Sequence, residues 1–254
     1  MVKNRTEKEM KDLETNFSKS YWTNDEFANE FLQDSDIYIP QRKQVLQLIK
    51  LLFSFYSDKI KHPHIIDLGC GDGAITKALL GVNDTLLSTM IDGSEHMLES
   101  AKKNIPSANI KEIINISFQE LYGSSVIKDN ADFIVSSLAI HHLNEIEKNQ
   151  LFKYVYTKLN LGGVFINYDP VLSPSQELEQ FELNMWKDWI LNYEAAINPR
   201  RDKSLDYIPS QYKSNKDNVP STLDSQLAML RNAGFLDVNL FYKYGLFCLF
   251  GGRK

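Results

Sequence analysis

Nine residues, Ile65-Ile66-Asp67-Leu68-Gly69-Cys70-Gly71-Asp72-Gly73, carry the densest chemical signal in the chain. An apolar run meets an acid, and three glycines then alternate with other residues before a helix-compatible stretch from Ala74. Glycine has no Cβ and accepts positive φ, so such a turn offers a ligand bare backbone. The spacing is not G-x-G-x-x-G, because the third glycine comes one residue early. The lysine and hydroxyl of a phosphate-binding P-loop are also missing. A floor for a nucleoside fits better than a cradle for phosphate, with a ligand-free strand-to-helix turn as the bland alternative. Asp92 ends the next apolar run, roughly 20 residues further on, where a carboxylate can accept from both hydroxyls of a ribose. The competing role for Asp92 is an N-cap for the helix at Glu95, which Ser94 would serve as well. His141 and His142 end a later apolar run, and imidazole titrates near neutral pH, so either is a candidate base. The competing account packs one ring on the following helix and turns the other to solvent.

These residues need elements to position them. Ile65–Leu68, Leu86–Ile91, Ile110–Ile114, Ala131–Leu138 and Gly163–Tyr168 read as strands. Ala74–Gly81, Glu95–Asn104 and Glu145–Leu159 read as helices between them. The alternation implies a parallel sheet with helices on both faces. Residues 1–60 read as helical, from Phe27, Phe31 and Leu32 and from the run Val45 to Phe53, with Pro40 in the first turn of the second helix. After Asp169 the pattern changes: one long helix over Pro174–Ala196, a polar loop over 198–220, a helix over Leu223–Asn232 stopped by Gly234, then two aromatic-rich strands, Leu236–Tyr242 and Gly245–Phe250, joined as a hairpin.

Taken together, these segments resemble the class I S-adenosylmethionine-dependent methyltransferases. Ile65–Gly73 is similar to that family's first motif, and Asp92 to its ribose-binding acid. Ala131–Leu143, down to its His-His-Leu close, is similar to its strand-four motif. Leu159-Asn160-Leu161-Gly162-Gly163-Val164-Phe165 resembles the turn before its fifth strand. The resemblance covers about residues 60–170, and the closing hairpin extends it. It implies an α/β fold with a Rossmann-like, seven-stranded, mostly parallel sheet, helices on both faces, a C-terminal antiparallel hairpin and an N-terminal helical segment. On that basis residues 1–60 form a lid segment, and 61–254 form the cofactor-binding domain with an insertion at 173–222. The implied cofactor is S-adenosyl-L-methionine. Asp67 would hold its methionine amino group. Gly69, Cys70 and Gly71 would line methionine and ribose, Asp92 and Gly93 the ribose. Ser117 and Phe118 would contact adenine, with Ser117 standing where many members have an acid. Ser137 and Leu138 would present backbone. More distantly, Tyr38-Ile39-Pro40-Gln41-Arg42, Ala233-Gly234-Phe235 and Tyr244–Phe250 resemble the carboxy-S-adenosylmethionine synthase branch, which closes its N-terminal segment over the cofactor.

Tyr21, Trp22, Tyr38 and Arg42 then become lid candidates. Aromatic rings can cover a sulfonium, and a guanidinium can pair with a carboxylate. Against this, they can equally be core and surface of a helix pair. Trp186, Trp189, Tyr193 and Tyr207 lie where this fold builds its acceptor pocket, but helical spacing favours core for the first three. Arg200, Arg201, Lys203, Lys213 and Lys216 make a locally basic loop, read as solvated. His62, His64 and His96 lack metal-ligand spacing, and no metal is expected.

The whole chain bounds these readings. It has 254 residues, 43% apolar and 24% charged, as expected for a globular protein. A net charge of −5 gives no global basic field and weighs against nucleic acid as a partner. Two cysteines, Cys70 and Cys248, form no disulfide framework or zinc motif, which suits the cytoplasm. No signal peptide and no membrane-spanning apolar run is recognised. The leading expectation is methyl transfer to a small-molecule acceptor. The alternatives are a tRNA-related enzyme, either a methyltransferase or a carboxy-S-adenosylmethionine maker, and a non-catalytic cofactor-binding protein. The acceptor and the oligomeric state are not legible.

Overall fold

The computed structural model describes residues 34–197 and 204–254. Tyr21, Trp22, Phe27, Phe31, Leu32, Arg200, Arg201 and Lys203 lie outside them. A helical turn at residues 34–38 leads through Pro40 to α1 (Arg42–Ser57). The alternating core follows as β1 (His64–Leu68), α2 (Ala74–Leu80), β2 (Leu87–Asp92), α3 (Glu95–Asn104), β3 (Ile110–Asn115), α4 (Phe118–Leu121), β4 (Ala131–Ser137), α5 (Glu145–Lys158) and β5 (Leu159–Pro170). Then come α6 (Gln176–Ile197), α7 (Ile208–Ser214), α8 (Leu223–Ala233), β6 (Leu236–Tyr244) and β7 (Phe247–Arg253).

The strands form one seven-stranded sheet in the order β3-β2-β1-β4-β5-β7-β6. The first five run parallel, and β7 pairs antiparallel with both β5 and β6. The order reverses between β1 and β4, which is where open α/β sheets leave a crevice at the strands' carboxyl ends. Alternation along each buried strand feeds two cores. Ile65, Phe133, Val135 and Ile166 face α1, α2 and α6, while Ile66, Ile134 and Phe165 face α5 and α8. On α1 the buried positions Val45, Ile49 and Phe53 fall at i, i+4, i+8, so one stripe docks on the sheet. Each such side chain contributes about 1.5–3 kcal/mol on burial.

Helix starts follow local chemistry. Ser94 caps α3 and accepts from Met97 N, and Asn144 and Ser117 form capping boxes with Glu147 and Glu120. Two readings of the sequence need correction. Pro40 is not in the first turn of α1: the helix starts at Arg42, after Gln41 takes a left-handed conformation at φ 57°. The polar stretch 198–220 is not all loop, since α7 forms within it with Pro209 near its start.

Candidate functional site

The glycine turn sits at the end of β1, and its geometry explains its composition. Gly69 and Gly71 have φ of 66° and 53°. A Cβ on Gly69 would lie 2.4 Å from the Ala139 Cβ, so any side chain there collides with the start of the strand-four turn. A Cβ on Gly71 would meet nothing within 4 Å, so this peptide borders open space. That space is a cavity of about 500 Å³, within the range of small-ligand sites.

Most residues expected at the site meet around this cavity. Gly69, Cys70, Gly71, Asp92, Gly93, Ser117, Phe118, Ser137, Leu138, His142 and Arg42 all line it. The Asp92 carboxylate is fixed by backbone: Oδ2 accepts from Gly71 N at 2.9 Å and Oδ1 from Ser94 N at 2.8 Å. Ser94 is the N-cap of α3, so Asp92 is not needed in that role. Burial raises the Asp92 carboxyl above its ordinary value. The backbone of Gly93 also donates to this carboxylate, and the acceptor capacity that remains suits a hydroxyl donor. Bare backbone at Gly71, this acid and the Phe118 ring together fit a nucleoside.

Ser117 is on the wall, but its hydroxyl is already engaged. Oγ donates to Glu120 Oε2 at 2.6 Å and accepts from Glu120 N as the cap of α4. Leu138 has φ 57°, rare for a β-carbon residue, and its N–H donates to Tyr168 O at 2.8 Å. That turn directs the chain after β4 along the cavity wall.

Three expected residues are placed differently. Asp67 is buried behind the wall, and its Oδ2 accepts from Thr76 Oγ1 at 2.7 Å and Thr76 N at 3.3 Å. Burial pushes its carboxyl up to about 7. Tyr38 does not line the cavity. Its carbonyl accepts from Trp186 Nε1 at 2.7 Å, and Trp189 Nε1 donates to Ile37 O at 3.2 Å. The tryptophans of α6 thus belong to the core and anchor segment 37–40; Ile39 within it and the preceding Ser35 and Asp36 reach the cavity. His141 is off the wall as well. Its Nδ1 lies 2.7 Å from Asp169 Oδ1, a fully buried carboxylate.

The two histidines are therefore not split between helix and solvent. Their rings lie 4.0 Å apart, and only His142 borders the cavity. His142 Nδ1 lies 3.0 Å from the Asp217 carbonyl. A carbonyl can only accept, so Nδ1 carries the proton and Nε2 the lone pair. Burial, aided by His141, pushes this imidazole down to about 3. Arg42 pairs with Asp36 at 2.8 Å, and both line the cavity.

Sequence reasoning missed Tyr168, Lys216, Asp217 and Val219 on the wall. Tyr168 carried one signal, its place at the carboxyl end of β5. The others sit in the polar stretch before α8, where nothing local marks them.

Comparison with known proteins adds to this geometry. A family described as "Methyltransferase domain" matches residues 65–163. The carboxy-S-adenosyl-L-methionine synthase of Nautilia profundicola is 26% identical, over 91% of this chain and 94% of that protein. An O-methyltransferase family protein from Burkholderia thailandensis superposes with a TM-score of 0.63 at 13% identity, over 93% of this chain. This chain spans about three fifths of that longer one, 62%. Human N-acetylserotonin methyltransferase, solved in complex with SAM, gives a TM-score of 0.50 at 17% identity, over 83% of this chain and 55% of that one. Among the described residues no helix is long and apolar enough to cross a membrane.

Proposed function

Given that the chain is a class I S-adenosylmethionine-dependent methyltransferase, we propose that it methylates a small-molecule acceptor bound over the ends of β4 and β5. One observation carries this reading. A single cavity has the glycine turn and Asp92 at one end, and His142, Tyr168 and Val219 at the other. Donor and acceptor would share one enclosure.

In this reading Gly69, Cys70 and Gly71 line the methionine and ribose, and Asp92 and Gly93 hold the ribose. Ser117 and Phe118 flank the adenine. Ser117 supplies backbone and shape, since its hydroxyl is spent on Glu120. Ser137 and Leu138 offer backbone to the methionine end. Asp67 acts at one remove by fixing Thr76 and the start of α2. Segment 34–42 is the lid, with Arg42 on the wall and Tyr38 tethering it to α6. The setting is the cytoplasm, where the buried thiols of Cys70 and Cys248 stay reduced.

S-adenosylmethionine supplies an activated methyl group whose leaving thioether is neutral, so no acid is required. The protein's share is to align the acceptor and exclude water. His142, held neutral by burial, accepts the acceptor's proton only as the new bond makes that proton acidic.

Mass spectrometry of nucleoside co-purifying with the protein tests the reading. S-adenosylmethionine or S-adenosylhomocysteine is expected, and the absence of any such nucleoside together with no measurable binding would end it. A second reading, carboxy-S-adenosylmethionine synthesis, is favoured by relatives of that name that match over nearly their whole length. A carboxylated nucleoside in the same spectrum would select it.

A further inference from the structure

The helical turn at residues 34–38 ends against α6. The last carbonyls of a helical turn have no partner within it, and here they are met from outside. Trp186 Nε1 donates to the Tyr38 carbonyl at 2.7 Å, and Trp189 Nε1 to the Ile37 carbonyl at 3.2 Å. The Tyr168 hydroxyl donates to the Pro40 carbonyl at 3.4 Å. Packing alone would not require the indole bonds, since a phenylalanine ring fills much of the same space. All three bonds go to main-chain carbonyls, so they fix the path of segment 37–40 whatever its side chains are.

That path is part of the cavity: Ser35, Asp36, Ile39 and Arg42 all line it. The wall is braced within itself. Ile39 N donates to the Ser35 carbonyl at 3.0 Å, and Arg42 pairs with Asp36 at 2.8 Å. Its connection to α1 passes through Gln41, whose φ of 57° is unfavourable for a residue with a β-carbon. Such a conformation persists where the surroundings hold it. The bonds from Trp186, Trp189 and Tyr168 hold one side of Gln41, and α1 holds the other. Breaking them frees Gln41 to adopt an ordinary backbone conformation, and the wall then loses its fixed place at the cavity. The donors belong to β5 and α6, whereas the glycine turn and Asp92 lie at the ends of β1 and β2. Holding the wall is therefore separate from holding the nucleoside.

We infer that Trp186 and Trp189 are positioning residues that latch segment 35–42 beside the bound nucleoside, and that release of their two indole bonds gates its passage in and out of the cavity. The inference rests on the reading above that the nucleoside occupies the glycine-turn end. The latch bonds lie wholly within the protein, so loosening them speeds entry and exit together and leaves affinity nearly unchanged. A residue that touched the ligand would instead change mainly the exit rate.

Surface plasmon resonance with the immobilised full chain and S-adenosylhomocysteine as the probe measures both rates. Trp186→Phe and Trp189→Phe keep an aromatic ring and remove the N–H. Each should raise the association and dissociation rates about threefold or more, the effect of losing one hydrogen bond, with Kd within about twofold of the parent. The double variant should reach about tenfold. Trp189 is only half-buried, so its variant stands even where Trp186→Phe folds poorly. Ile190→Val trims the core on the same helix without touching either bond, and both its rates should match the parent's. Unchanged rates in Trp189→Phe overturn the inference. So does a faster exit with unchanged entry, which would make the tryptophans ligand contacts, or equal acceleration by Ile190→Val, which would reduce the effect to general loosening. Asp92→Ala separates the two readings: it should lower affinity about tenfold or more. Unchanged affinity there would remove the nucleoside from the glycine-turn end and end both.

Discussion

Burial beside His141 lowers the His142 imidazole to about 3, so the ring stays neutral where an exposed histidine would titrate. His142→Gln should therefore lower kcat about a hundred- to ten-thousandfold without moving the inflections of the pH–rate profile. A shift of an inflection near pH 6.5 would contradict this. Stability follows the same asymmetry. Between about pH 3 and 6.5 the unfolded chain binds the proton and the native state does not, so this contribution is complete above 6.5 and is lost as pH falls toward 3. Asp67 has the opposite sign. Its carboxyl is raised to about 7, the native state binds the extra proton, and stability falls as pH rises from about 4 to 7. Asp67→Asn keeps an oxygen to accept from Thr76. It should flatten the melting curve over that window and raise the melting temperature at pH 8; unchanged melting at both ends would refute the buried-charge account. Residue by residue, legibility tracked how local each cause is. Gly69, Gly71 and Asp92 announced themselves because turn and strand end lie within one stretch of sequence. Leu138 gave no sign of its left-handed backbone, since leucine is a poor choice for φ > 0 and only tertiary context imposes it. Asp217 was silent because its partner, His142, is brought to it by the fold.

Elements with a clear local start were readable: α3 and α5 begin where their caps Ser94 and Asn144 put them, and α2 begins where the glycine turn ends at Gly73. The less readable elements are those whose bonds are long-range. β5 begins at Leu159 rather than Gly163, because the Gly162–Gly163 turn is itself paired, with Gly162 N donating to Lys254 O and Lys254 N to Gly163 O. α7 is short and packs under Trp186 through Tyr212, whose rings lie 5.5 Å apart, so local propensity alone would not have revealed it. The clamp from α5 is a further example. Lys148 is fully buried and its ammonium donates to the Leu143 and Val219 carbonyls. Lys148→Met strands two acceptors, at a cost of about 1–3 kcal/mol. It should make segment 215–219 more open to limited proteolysis and raise the acceptor KM while leaving cofactor affinity unchanged. Equal proteolysis rates would remove the clamp from the account.

Across the whole molecule, one parallel sheet with its reversal between β1 and β4 brings residues from five strand ends to one cavity. The alternation of strands and helices made the parallel part of that sheet legible, whereas the hairpin's place rested on resemblance, because no local pattern says that β7 lies inside β6. Its packing shows why the position is so specific: a Cβ on Gly251 would lie 2.0 Å from the Phe165 carbonyl oxygen. Gly251→Ala should separate β5 from β7 and destabilise the protein by more than about 3 kcal/mol, read as a loss of soluble yield and a lowered urea midpoint. A midpoint within error of the parent would show that the sheet has room there. The same topology has a consequence for biosynthesis. β5 leaves the ribosome well before its antiparallel neighbour, and everything from α6 through β6 must be made in between. At roughly 5–20 residues per second, β5 waits on the order of several seconds with one ladder unpaired. During that interval the nascent chain presents a bare apolar edge, which makes this stretch of translation the step at which a holdase chaperone would matter most.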